Sequence, residues 1–346
     1  MRLLVNLGQI INETLASICR TPEYLSSLLI GDMVSAANVH PIATIMIQPI
    51  PKRRAYLMLI VVMLLWASGI IVARSVHEQV APIGFSFWRW FAAVILLTPF
   101  AFRKMNGHGA YLRTQIPRIA LLGLFIAGGS TIIIIAVQFT TATNVALVSA
   151  TQPTVTAVVA WLILRDRLTG RQLLGICAAT IGIIAMIARL DLNVLQTLSI
   201  NPGDAGMLLS VSFYALYAVN LHRWIGRVGA VLMMYMTCLG GALVLLPFYI
   251  LEATWIEATV FTWPVFFAVM YMATVPTLIA TTMWNISVGA VGPNRATAFT
   301  NLLPVFGIAL AVVLLGESLH AYHIVGGLLV CAGISLVVRG DPTTKP

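Results

Sequence analysis

Ten stretches of this 346-residue chain are apolar over close to the length that crosses a bilayer, which excludes most folds at once. They run over residues 55–73, 82–102, 116–137, 143–164, 172–188, 205–221, 230–251, 265–288, 296–315 and 323–338. A spanning helix takes about 20 mostly apolar residues. In lipid every backbone N–H and C=O must be satisfied within the protein, so such runs are helices and not open sheet. Charged residues are 9% of the chain and hydrophobic ones 60%, against roughly 25% and 45–50% in an average soluble domain. So few charges could not cover a soluble surface. The expectation is an all-α integral membrane protein with ten transmembrane helices.

The chain also repeats itself. Residues 143–187 match residues 294–338 at one constant spacing of 151: Pro153 falls on Pro304, Leu164 on Leu315, Asp166 on Glu317, Gly175 on Gly326 and Gly182 on Gly333. An internal duplication in a hydrophobic chain marks a transporter built from two related halves. The expected halves are 55–188 and 205–338. The linker between them, 189–204, carries Asn193, Gln196, Asn201, Pro202 and Gly203, and a tail follows at 339–346.

Lys and Arg in the connections orient the helices. With a cytoplasmic N-terminus, the inner connections hold Lys52, Arg53, Arg54, Arg103, Lys104, Arg113, Arg118, Arg165, Arg167, Arg171, Arg223, Arg227, Arg295, Arg339 and Lys345. The outer ones hold Arg74 and Arg189. The expectation is N-in/C-in. Five helices per half is odd, so the halves enter from opposite sides as inverted repeats. The basic connection with Arg165, Arg167 and Arg171 accordingly matches one that carries Gly316, Ser318 and Tyr322. The net charge of +9 is gathered between apolar runs, so a lipid bilayer is the expected partner and nucleic acid is not. Residues 1–54 hold no span-length run and no cleavable signal pattern. They are expected to be a cytoplasmic extension, either disordered or, over residues 1–45, an upstream mis-called start.

Several short motifs, in order, are similar to a known family. They are Leu65-Trp66-Ala67-Ser68-Gly69, Phe87-Trp88-Arg89 and Thr140-Thr141-Ala142-Thr143-Asn144-Val145-Ala146-Leu147. Pro153 with Arg165-Asp166-Arg167-Leu168-Thr169, and Pro304 with Gly316-Glu317-Ser318-Leu319, complete the set. Together they resemble the EamA family, the ten-helix branch of the drug/metabolite transporter superfamily, over nearly all of 55–338. The resemblance implies export of small polar metabolites, often amino acids, across the bacterial inner membrane. Asp166 stands where that family more often has Glu.

Paired interruptions point to a midplane site. Gly128, Gly129 and Ser130 interrupt the third span and Pro276 the eighth, while Pro153 and Pro304 interrupt the fourth and ninth. A Pro leaves a carbonyl without its helical donor, and such groups are tolerated at depth only in protein or a wet cavity. Arg89 lies seven residues into its span, roughly 10 Å deep at 1.5 Å per residue. It could hold a carboxylate or phosphate with its fork, snorkel to the surface, or bond backbone carbonyls to fix packing. An Arg here across differing substrates is also a tendency of the family, which keeps the packing role open.

Trp66 and Tyr217 occupy matched positions, and with Tyr214 and Trp284 they could wall a cavity. Asn144, Gln152 and Asn301 could hydrogen-bond a polar ligand; the alternative is that they join helices. Trp88, Trp90, Tyr271, Asn220 and Asn285 are softer candidates, and Trp255 and Trp263 fit interfacial anchors. No Asp, Glu or His falls near the middle of a span, which argues against cationic cargo and leaves proton coupling without a carrier. Cys19, Cys177, Cys238 and Cys331 have no metal or redox spacing, and no HExxH or nucleophile–base set is visible. The expected protein is a non-enzymatic secondary transporter without metal or cofactor, monomeric or homodimeric. A passive channel or a polytopic membrane enzyme is the alternative.

Overall fold

The computed structural model describes residues 50–340 except 77, 106–108, 137–138, 141, 190, 192–201, 225–229 and 316–317. Nearly all of the N-terminal extension and tail, and most of the linker, lie outside these residues. Among the described residues all regular elements are helical. In order they are α1 (Lys52–Ser75), α2 (Pro82–Met105), α3 (Gly109–Gly123), α4 (Gly129–Ala136), α5 (Ala142–Ala150), α6 (Gln152–Leu164) and α7 (Gly170–Ile187). Then follow α8 (Pro202–Trp224), α9 (Ala230–Trp255), α10 (Trp263–Met272), α11 (Thr281–Val291), α12 (Pro293–Ala298), α13 (Leu302–Leu315) and α14 (Ala321–Arg339). Nine candidate spans among the described residues are long and apolar enough to cross a membrane. The run at 296–315 is divided between α12, a 3-10 turn at Phe299–Asn301 and the 14-residue α13.

The interruptions take two forms. Pro153 cannot donate to the carbonyl of Ser149, nor Pro304 to that of Thr300, and the chain breaks just before each. α5 gives way to α6 through Thr151, and α12 to α13 through the 3-10 turn. At the other two places the helix does not break but widens. Leu124–Gly128 is a π-helical turn joining α3 to α4, and Ala273–Ala280, around Pro276, is a π-helical stretch joining α10 to α11. π-bulges are rare insertions in α-helices and gather at functional sites.

Caps set several helix ends. Thr169 and Gln172 form a reciprocal capping box at the start of α7, with bonds of 3.2 and 2.9 Å. The start of α2 is capped from another helix: Glu252, in the last turn of α9, accepts from Ile83 N–H (3.0 Å) and Gly84 N–H (2.5 Å). A carboxylate there also meets the positive end of the helix dipole.

α7 and α14 pack along four glycines. A Cβ added at Gly175 would lie 2.5 Å from the Gly333 carbonyl oxygen, and one at Gly182 2.6 Å from that of Gly326. Gly333 and Gly326 meet the Gly175 and Gly182 carbonyls in return. The two helices are therefore antiparallel, and backbones this close tolerate no side chain between them. Each contact also maps onto the other under the 151-residue duplication.

The remaining contacts sort the ends of the bundle. At one end Tyr56 stacks on Phe299 at 5.7 Å, Asn294 Nδ2 donates to Asp166 Oδ2 (3.0 Å), and Arg295 Nη2 donates to the Gly340 carbonyl. This end carries Lys52, Arg53, Arg54, Arg165, Arg167, Arg171 and Arg339, and we call it the basic end. At the other, acidic end lie Glu78, Asp204, Glu252 and Glu257. Trp255 and Trp263 are 84% and 75% exposed there, as interfacial anchors are.

Candidate functional site

The two π-helical segments each meet the first helix of the other half. Widening the turn around Pro276 turns its carbonyl outward, and it accepts from the Trp66 indole N–H of α1 (3.1 Å) and from Thr281 Oγ1 (3.1 Å). Gly69 of α1 packs on the Pro276 ring. On the other side, Phe213 of α8 packs on Gly128, and Ser210 Oγ of α8 donates to the Gly129 carbonyl (2.7 Å). Gly128 makes room for α8: an added Cβ there would lie 2.9 Å from the Phe213 ring, whereas one at Gly129 would lie 3.3 Å from Phe213 Cβ.

A polar zone joins these contacts. Arg89 is 7% exposed; its Nη2 donates to Ser130 Oγ (2.8 Å), and its guanidinium carbon lies 5.3 Å from the Trp90 ring centre. Ser130 in turn donates to the Ala127 carbonyl (3.0 Å), and the Tyr214 hydroxyl reaches the same serine. One helical turn along α8, Tyr217 is buried and donates to Asn285 Oδ1 (2.8 Å). Asn285 Nδ2 approaches Met234 Sδ at 3.9 Å. Beside Asn285, Trp284 lies 5.2 Å from Trp66, ring centre to ring centre, tilted by 42°. Cys238 is close to both the Arg89 guanidinium and the Tyr217 hydroxyl. Trp66, Ser130 and Tyr214 keep accessible surface, whereas Tyr217, Trp284 and Asn285 form the wall behind them.

Five of the eight expected binding residues, Trp66, Arg89, Tyr214, Tyr217 and Trp284, thus fall in one connected zone, bordered by the expected breaks Gly128, Gly129 and Pro276. Asn144 does not join it. Its amide donates to Asp204 Oδ2 (2.9 Å) at the acidic end, where Thr140 also donates to Asp204. Gln152 is half-buried at the start of α6 beside the Pro153 break. Asn301, 2% exposed at the end of the 3-10 turn before Pro304, has neither amide atom bonded. Sequence reasoning missed Ser210, Thr281 and the Pro276 carbonyl as partners. A Ser or Thr facing a proline-distorted helix was the available signal. Nothing in the sequence could say which helix supplies it.

The EamA-like transporter family matches residues 53–188 and again 201–339. The chain belongs to the EamA-like transporter family. Among its relatives is the Bacillus subtilis (strain 168) "Uncharacterized transporter YyaM", 24% identical over 81% of this chain and 92% of its own length. YetK of the same organism, also an "Uncharacterized transporter", is 25% identical over 84% of this chain and 89% of its own. A shorter match, 34% identical over 73 residues, covers 21% of this chain and 24% of a Salmonella typhimurium protein named "Probable amino-acid metabolite efflux pump". One crystal structure of a protein shares the fold with a TM-score of 0.68 at 18% identity, covering 83% of this chain and 96% of its own. This EamA-like chain is thus a multi-pass membrane protein whose relatives are named as transporters. Its polar zone lies where the two matched segments meet.

Proposed function

We propose that the protein is a secondary transporter, an exporter of small polar metabolites with amino acids among them, working by alternating access around a site between its two halves. The observation that carries this reading is the polar zone at the two π-helical segments. A dry scaffold has no use for a buried guanidinium that faces no anion. The site comprises Trp66, Arg89, Tyr214, Tyr217 and Trp284, with Asn144, Gln152 and Asn301 entering as the helices rearrange. Gly128, Gly129, Pro153, Pro276 and Pro304 are the places where the helices bend. The name of the Salmonella pump supports the cargo class and the outward direction.

The same reading has ten transmembrane helices, α12 to α13 being the ninth, as inverted repeats at 55–188 and 205–338, N-in/C-in in a bacterial inner membrane. The antiparallel, reciprocal glycine contact of α7 with α14 supports the inversion, and the basic end supports the orientation. In a cysteine-free background, a cysteine at position 107 should be protected from external reagents and one at 193 accessible. Equal labelling of both from one side would refute the topology. Function is tested by counterflow in proteoliposomes across amino acids, nucleosides and small organic acids. Trans-acceleration by at least one class is expected. Flux that saturates with none of them and shows no trans-acceleration would favour a channel.

A further inference from the structure

At the Arg89 guanidinium, α2 holds two buried polar atoms without a protein partner, Arg89 Nε and the Nε1 of the adjacent Trp90. Both can only donate. Among the described residues Arg89 donates to Ser130, a neutral hydroxyl whose own proton is committed to the Ala127 carbonyl. A guanidinium stays charged at any physiological pH, and buried charges are as a rule paired. The groups that face this one are Ser130, the Trp90 ring, Tyr214 and Cys238, and none is an anion.

The described carboxylates lie elsewhere. Asp166, Asp191 and Glu257 are in connections, Glu78 follows α1, and Asp204 is engaged by Thr140 and Asn144. Glu252 touches α2 itself, but at its first turn, where both oxygens are taken by Ile83 and Gly84 N–H groups. Carried on to α2 and α9, the spacing of 151 sets Gly240 against Arg89, and no acidic residue stands there to balance the charge. Among the described residues the zone therefore carries one formal positive charge, orphaned donors, and no negative charge.

We infer that the carried molecule is a monoanion, a small monocarboxylate whose oxygens accept from Arg89 and its neighbours. This rests on the carrier reading above, and within its small polar metabolites it puts monoanions in the place of amino acids. A monoanion leaves the loaded site neutral and supplies the acceptors that α2 lacks. A zwitterion brings an ammonium and leaves the positive charge in place. The charge of the cargo also answers the question of energy. Monoanions are driven out of an inside-negative compartment by the potential alone, without a proton-exchanging carboxylate. At 100 mV that bias is about fifty-fold, the equivalent of about 2.3 kcal/mol per charge.

The test uses the full chain in liposomes at neutral pH, with protein-free liposomes as baseline and the potential set by valinomycin and a potassium gradient. The probes are two size-matched triads: lactate, lactamide and alanine, and 3-phenyllactate, 3-phenyllactamide and phenylalanine. Counterflow is expected for one or both monoanions and for neither the amides nor the zwitterions. An inside-negative potential of 100 mV should shift the anion's steady distribution outward toward fifty-fold, and reversed polarity should reverse it. Arg89→Lys should lower anion counterflow at least tenfold in protein that remains monodisperse. If that variant does not fold, the potential dependence of the unaltered protein decides. Carriage of alanine, phenylalanine or the amides without the acids overturns the anion assignment and leaves the carrier reading standing. So does anion flux indifferent to potential, or normal flux in Arg89→Lys. Carriage of none of the six overturns the anion assignment, and the carrier reading falls with it only if the wider counterflow screen of amino acids, nucleosides and organic acids also shows no trans-acceleration.

Discussion

The α7–α14 seam and the polar zone treat the duplication in opposite ways. Along the seam Gly175 and Gly326 are the same residue, as are Gly182 and Gly333, and each copy makes the contact its counterpart makes. In the polar zone matched positions diverge: Trp66 stands against Tyr217, and the same spacing of 151 sets Arg89 against Gly240. A packing surface that maps onto itself needs the same small residue twice. A site that binds one asymmetric molecule needs each group once, and the second copy of that position is free to pack.

The comparison breaks most visibly if the second copy can carry the charge. Gly240 packs on α3, with an added Cβ 3.1 Å from the Ile119 carbonyl oxygen. Gly240→Arg would bury a cation against backbone, at roughly 3–5 kcal/mol for an uncompensated buried charge. No monodisperse protein is expected in size-exclusion chromatography. A stable, active variant would show that the two halves are interchangeable here.

Next in size is the seam. Gly333→Ala sets a Cβ against the backbone of Gly175 and Ala179, neither of which can swing aside. A loss of about 1–3 kcal/mol is expected, as for overpacking generally, read as a lower melting temperature in detergent. Gly182→Ala should cost a similar amount. Gly175→Ala combined with Gly333→Ala should cost less than the sum, because both open one contact. Strict additivity would mean that the two glycines do not share it.

Smaller effects separate the two cross-half bonds. Trp66→Phe removes the bond to the Pro276 carbonyl, and Ser210→Ala the one to the Gly129 carbonyl. Each should cost about 1 kcal/mol of stability. Only Trp66→Phe should also raise the half-saturating cargo concentration, because Trp66 faces the zone and Ser210 is buried. Equal transport defects would remove the distinction between wall and site. The smallest change is expected on the lipid side of the seam helices, where Cys177 and Cys331 are exposed. Their alanine variants should stay within about 0.5 kcal/mol of the parent, and a larger loss would place a partner on that face.

What could be read in advance follows what is local. Pro153 and Pro304 announce their breaks because a missing N–H acts within one turn. The matched aromatics Trp66 and Tyr217 do face the zone, since the same register in two copies of one fold leads to comparable places. At Gly128–Gly129 and Pro276 the sequence points to interruption, whereas the chain inserts a wider turn and continues; the choice depends on what the neighbouring α8 and α1 offer the loosened carbonyls. The bond of Asn144 to Asp204 was not legible, because Asp204 lies 60 residues away on another helix. Partners at that separation leave no trace in spacing.

Trp90 and Gly241 stand 151 residues apart, as the matched pairs of the repeat do, and they touch: an added Cβ at Gly241 would lie 3.6 Å from the Trp90 ring. A point that meets its own copy lies beside the axis relating the halves. In an assembly of two separate identical subunits that point would hold the same residue twice, two indoles in the room of one or two glycines around a void. A large residue facing a small one here can be inherited only where the two halves are encoded separately, as the two segments of this chain are. Such a contact, like the Arg89–Gly240 asymmetry beside it, is open to a chain with two halves and closed to a pair of identical subunits.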